Sequence, residues 1–200
     1  MENKKSETTI GFEKLKRNIQ LEARNGIDFI FAASIVWLGV FFIWKYSNYS
    51  SYNTSVITFI FGSVLMPLAL GFSKIFKTNW KIKDNPLQSL GLWLNFAQLI
   101  YFPFLVFVLI KHPDYFIMAY AIITGAHLFP YAWFYDEIGY AIAAILISVG
   151  SLCIALLVDV DQIFYVPEFT ALALLLLAVW ILVRYKRLKR LSEKQKYRKD

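Results

Sequence analysis

The stretch IGYAIAAILISVGSLCIALLV, Ile138 to Val158, contains no charged side chain and no proline. At about 1.5 Å per residue, a helix of that length covers the roughly 30 Å of a bilayer's hydrocarbon core. Working outward from it, five further stretches of the same kind flank it: Ile27 to Tyr46, Thr54 to Ser73, Gln88 to Ile110 and Tyr115 to Tyr135 before it, and Ile163 to Val183 after it. Ionisable groups nearly vanish inside them. Asp28 and Lys45 sit at the two edges of the first, His127 is internal to the fourth, and Glu168 lies in the first turns of the sixth. A soluble helix is polar on one face, and six segments that are apolar all round require an apolar solvent. The expected fold is all-α, a polytopic integral membrane protein built as a six-transmembrane-helix bundle. Five spans is the alternative, because the fourth is the most polar.

Composition supports this reading. Of 200 residues, 58% are hydrophobic and 18% charged, against about 45–50% and about 25% in soluble domains. One Cys excludes a disulfide framework and thiolate metal sites, and two His exclude a histidine-rich metal cage. No cofactor and no metal is expected.

Lys and Arg assign the orientation, since cytoplasmic segments near the spans retain positive charge. With six spans both termini share a side, and that side holds nineteen of the 21 basic residues; only Lys45 and Lys111 lie opposite. Both termini are therefore expected to be cytoplasmic, while the other face carries Asp114, Asp159, Asp161 and Glu168 among tyrosines. The excess of positive charge follows from topology, so nucleic acid is not an expected partner. The bilayer is, together with anionic lipid at the basic ends, where each Lys or Arg contributes about 1 kcal/mol near the surface. No protein partner or oligomeric state is legible.

Residues 1–26 lack the apolar run and small-residue cleavage site of a signal peptide. Phe12, Leu15, Ile19, Ala23 and Ile27 recur at helical spacing between charged residues, which predicts an amphipathic helix on the cytoplasmic surface. Residues 27–183 form the six-helix domain, and residues 184–200 a basic tail continuing the sixth helix into water. Pro67, Pro103 and Pro130 lie inside spans and free the carbonyls of Ser63, Leu99 and Ala126, predicting kinks. The small residues Ala141, Ala144, Ser148, Ser151 and Ala155 form a packing strip on the fifth span. The sixth, with Leu174 to Leu177 and Trp180, reads as the most lipid-exposed.

Two polar stripes are candidates for function. Gln88, Asn95 and Gln98 share one side of the third span; Tyr120, Thr124, His127 and Tyr131 share a stripe of the fourth. Asn95 and His127 come out at similar depth, about 10–12 Å from the inner ends. The expected site is a polar pocket of Asn95, Gln98, Thr124, His127 and Tyr131, against the reading that the same groups hold helices together. At the inner rim, Asp136 and Glu137 occupy a turn without Lys or Arg, either solvated or admitting a cation or proton. Motifs for hydrolases, zinc proteases and phosphate loops are absent from the sequence, so no catalytic residue is named.

Met66-Pro-Leu-Ala-Leu, Asn85-Pro-Leu, Phe102-Pro-Phe and Gly125-Ala-His-Leu-Phe-Pro-Tyr-Ala-Trp-Phe-Tyr resemble an uncharacterised family, a domain of unknown function, of small bacterial multi-pass membrane proteins. The resemblance covers most of residues 12–183. It implies a bacterial plasma (inner) membrane and transfers no functional residue. The function expected from the sequence is non-enzymatic permeation of a small solute through the pocket on the third and fourth spans. The alternatives are a membrane accessory or sensory subunit, or an intramembrane enzyme using His127.

Overall fold

The computed structural model describes residues 2–197, with side chains described for residues 11–194. The charges counted at Lys4, Lys5, Lys196, Arg198 and Lys199 lie outside the described side chains. The described chain is all-helical: α1 (Glu2–Glu22), α2 (Ile27–Tyr46), α3 (Ser51–Gly62), α4 (Leu65–Phe76), α5 (Gln88–Leu99), α6 (Phe102–Lys111), α7 (Phe116–Phe134), α8 (Ile138–Leu157) and α9 (Tyr165–Tyr197). Six segments are long and apolar enough to cross a membrane: Arg24–Tyr46, Ser51–Phe76, Gln88–Lys111, Pro113–Phe134, Ile138–Leu157 and Val160–Lys194.

Two of the expected kinks are breaks. The second span divides between α3 and α4, and the third between α5 and α6, each just before the internal proline. Around the first break the bonds tighten to three-residue turns, Ser63 N–H to Ile60 O (3.0 Å) and Val64 N–H to Phe61 O (3.0 Å). The Ser63 hydroxyl adds a bond to Ile60 O at 2.7 Å. Ile100 and Tyr101 make the same turns at the second break, bonding Ala97 O and Gln98 O. Tight turns of this kind keep backbone groups paired where proline has removed a donor. Pro130 instead stays within a continuous α7.

The core lies among α2, α7, α8 and α9. Ile117, Ala121, Ile147, Val166, Leu174 and Ile181 are fully buried within it. The small strip of the fifth span lies along this core: Ala144 and Ser151 are buried, and the Ser148 hydroxyl donates to Ile122 O of α7 at 3.3 Å. The sixth span is not the most exposed one. Its most apolar window is 44% buried, whereas that of the third span is 11% buried. Leu174, Leu177 and Ile181 form a second apolar face seated on α2 and α8, a packing that a helix apolar all round does not reveal in sequence. α9 runs for 33 residues, about 50 Å, so its last turns project beyond any span.

α1 packs through its apolar side against the bundle. Its apolar side faces the basic end of the bundle, with Ile19 1% exposed in the same core as Ile82 and Tyr135. Every neighbouring segment there holds it. Gln20 Nε2 donates to Tyr135 O (2.5 Å), Asn85 Nδ2 to Leu15 O (2.9 Å), Asn79 N–H to Glu22 O (2.9 Å) and the Arg17 guanidinium to Leu188 O (3.1 Å). The bundle end thus offers α1 both apolar surface and hydrogen-bond partners.

Candidate functional site

The stripes expected to meet across the third and fourth spans do not assemble a joint site. Asn95 is exposed, and its Nδ2 donates to Gly91 O one turn earlier in its own helix (3.0 Å). Gln98 is half-buried. Among the described residues, no hydrogen bond joins either amide to Thr124, His127 or Tyr131. On α7, His127 and Tyr131 do come together, ring centroids 5.3 Å apart and edge to face, and Thr124 is half-buried. Gln88 leaves the stripe, donating to Trp80 O (2.8 Å) and accepting from Ile82 N–H (3.4 Å). On α5 the core-facing side carries Leu90 and Leu94, which leaves Asn95 exposed at its edge.

The rim pair separates as well. Asp136 has a left-handed backbone (φ +50°) and faces outward, with Lys16 Nζ at 3.8 Å. Glu137 is only 2% exposed, accepting from Trp180 Nε1 (2.8 Å) and Arg184 Nε (3.3 Å). The cations missing from this turn are thus supplied by α1 and α9. Lys16 also lies over the Trp133 ring, 5.0 Å from its centroid, a cation–π contact that steadies a poorly hydrated ammonium.

Buried polar groups gather where α1 turns into α2. Arg24, Asn25 and Gly26 are three consecutive left-handed residues (φ +46°, +52° and +69°). Such a conformation is costly for non-glycine residues and persists where surroundings enforce it. Tyr140 Oη donates to Asn25 O at 2.6 Å, and the Arg24 guanidinium sits 5.2 Å from the Tyr185 ring centroid. A Cβ on Gly26 would lie 3.1 Å from the hydroxyls of both Tyr135 and Tyr140, so glycine is needed there for space as well as for backbone. Tyr131, Tyr135 and Tyr140 stack around this turn with centroids 5.6–5.9 Å apart.

One turn later, Asp28 is 1% exposed at the start of α2. Its Oδ2 accepts from Thr78 Oγ1 (2.6 Å) and Trp80 Nε1 (2.5 Å), both in the α4–α5 connector. Trp80 stacks on Phe29 at 4.8 Å, fixing the indole that makes this bond. Two buried polar atoms in the region, Asn25 Oδ1 and Tyr131 Oη, have no partner among the described residues.

Sequence reasoning places Asp28 at a span edge and Tyr131 in a stripe, but not the cluster. An acid opening an apolar span, four residues after Arg24, is the local signal. Its partners, 50 and 52 residues away, carry none. The arrangement can lock the connectors and α1 onto the bundle. The described residues gather no group of three or more His, Cys, Asp or Glu side chains suited to a metal.

No curated protein and no solved structure matches the chain. The model of a family of unknown function, DUF7010, matches residues 12–184. With the match running from α1 to the start of the basic tail, and so across all six apolar helices, the chain belongs to that family.

Proposed function

We propose that this chain is a multi-pass protein of the plasma membrane, both termini cytoplasmic, acting as a non-enzymatic accessory or sensory subunit rather than as a solute pathway. The observation that carries this reading is the engagement of its buried acids. Asp28 and Glu137 each accept two hydrogen bonds from a distant segment, so they hold connectors and helices in place instead of facing a passage. Asn95 is exposed and bonded within its own helix, and no described hydrogen bond joins it or Gln98 to the α7 stripe, which weakens the case for a lining shared by the two spans. A docked, charge-rich α1 on the cytoplasmic side is a natural element for a subunit that responds to, or binds, something at the membrane surface.

Permeation of a small solute is the second reading. Asn25 Oδ1 and Tyr131 Oη, buried and unpartnered, favour it, because a solute could satisfy them. Substituted-cysteine accessibility separates the two. In a Cys153→Ser background, Thr124→Cys, His127→Cys and Tyr131→Cys should resist a membrane-impermeant thiol reagent in intact vesicles. Rapid labelling of two or more of them from the aqueous phase would overturn the accessory reading in favour of a water-filled path.

A further inference from the structure

We propose that the third span is a contact surface for a second copy of this chain, with the Asn95 side chains of the two copies hydrogen-bonded across a twofold axis. The proposal rests on the membrane reading given above, since it needs this span to lie in lipid. The span is the least covered of the six, and α5 buries no residue at all. Its inward side is set by Leu90 and Leu94, which pack against the core, with Gly91 beside them close to α7, where a Cβ would lie 2.9 Å from Cζ of Phe134.

The open side is patterned. Leu92, Asn95, Phe96 and Leu99 fall at successive offsets of three, one and three, a single stripe, and all four are exposed. That is the spacing of a helix–helix seam, interrupted by one amide. Asn95 lies seven residues into the span, about 10 Å from its start, where lipid offers no hydrogen-bond partner. Its one described bond uses a single N–H, to Gly91 O, leaving the other N–H and Oδ1 to be satisfied. Polar side chains in spans face protein or water-filled cavities, and this one faces neither within its own chain.

An identical copy is the occupant that the chemistry fits. A carboxamide carries both donor and acceptor, so two Asn95 side chains related by a twofold axis pair reciprocally, as an isologous interface requires. A single Asn in an apolar seam also fixes register and oligomeric state.

The test uses full-length protein with Cys153→Ser, reconstituted into phosphatidylcholine vesicles at low protein-to-lipid ratio. Asn95→Cys should form a disulfide-linked dimer on oxidation, whereas Leu176→Cys, an exposed position on α9, should not. By single-molecule photobleaching, the chain retaining Asn95 should bleach mainly in two steps, Asn95→Leu mainly in one, and Asn95→Gln in between, with thermal stability preserved because the described bond of Asn95 is local. Two outcomes overturn the proposal: single-step bleaching of the Asn95 chain, or equal cross-linking at positions 95 and 176. If a membrane-impermeant reagent labels Asn95→Cys in sealed vesicles, the span is not in lipid and the membrane reading fails with it. An inserted but monomeric protein sinks the dimer alone.

Discussion

Tyr140, in the first turn of α8, donates its hydroxyl to the backbone carbonyl of Asn25 at 2.6 Å, fastening the fifth span to the strained turn that opens the first. The bond lies in the interior, with Tyr140 1% and Asn25 2% exposed. Its loss therefore leaves a buried carbonyl without a donor rather than exchanging protein for water.

Tyr140→Phe should accordingly lower stability by about 1–3 kcal/mol, the cost of an unsatisfied buried acceptor. Gly26→Ala should destabilise by about 1 kcal/mol or more, since it adds a Cβ where the backbone is left-handed and two hydroxyls stand close. Thermal unfolding of each variant in detergent checks both. Unchanged midpoints would show that the turn is not held by the tyrosines.

Asp28→Leu removes the acceptor shared by Thr78 and Trp80 and should cost about 1–3 kcal/mol. Asp28→Asn retains an acceptor oxygen and should cost less. Because Trp80 stacks on Phe29, release of the connector should also appear as a shift in tryptophan emission. Limited proteolysis between Lys77 and Lys83 should quicken in Asp28→Leu and stay slow in Asp28→Asn. Equal proteolysis of all three proteins would mean that Asp28 does not hold the connector.

Deleting residues 191–200 removes part of the basic tail but keeps the Arg17 bond to Leu188. The bundle should stay folded while its preference for anionic over neutral vesicles weakens. The difference from the full chain should shrink at high salt, where screening shortens the reach of the charges. A loss that salt does not alter would argue that the tail packs rather than attracts.

The six apolar helices are legible in the sequence because their signal is local: about 20 residues without charge suffice. The breaks beside Pro67 and Pro103 are legible for the same reason, as a missing N–H acts on a carbonyl four residues away. Pairing is not local. Periodicity places Asn95 and His127 on stripes, yet which side of α5 turns inward is decided by the packing of Leu90 and Leu94 on the core, which leaves Asn95 exposed. Likewise the turn at Asp136 and Glu137 looks bare of cations in sequence, since Lys16 and Arg184 reach it from the two ends of the chain. The sixth span reads as lipid-facing because leucine on every side hides which side is buried.

Six membrane crossings with both ends in the cytoplasm are the proposed topology, and reporter fusions test it most directly. A reporter active only in the cytoplasm should work when fused after Asp200 or inserted between Lys77 and Lys83. It should be silent at Asn53, in the first turn of α3, and at Asp161, in the connector before α9. Activity at Asn53 or Asp161, or silence at Asp200, would contradict the account.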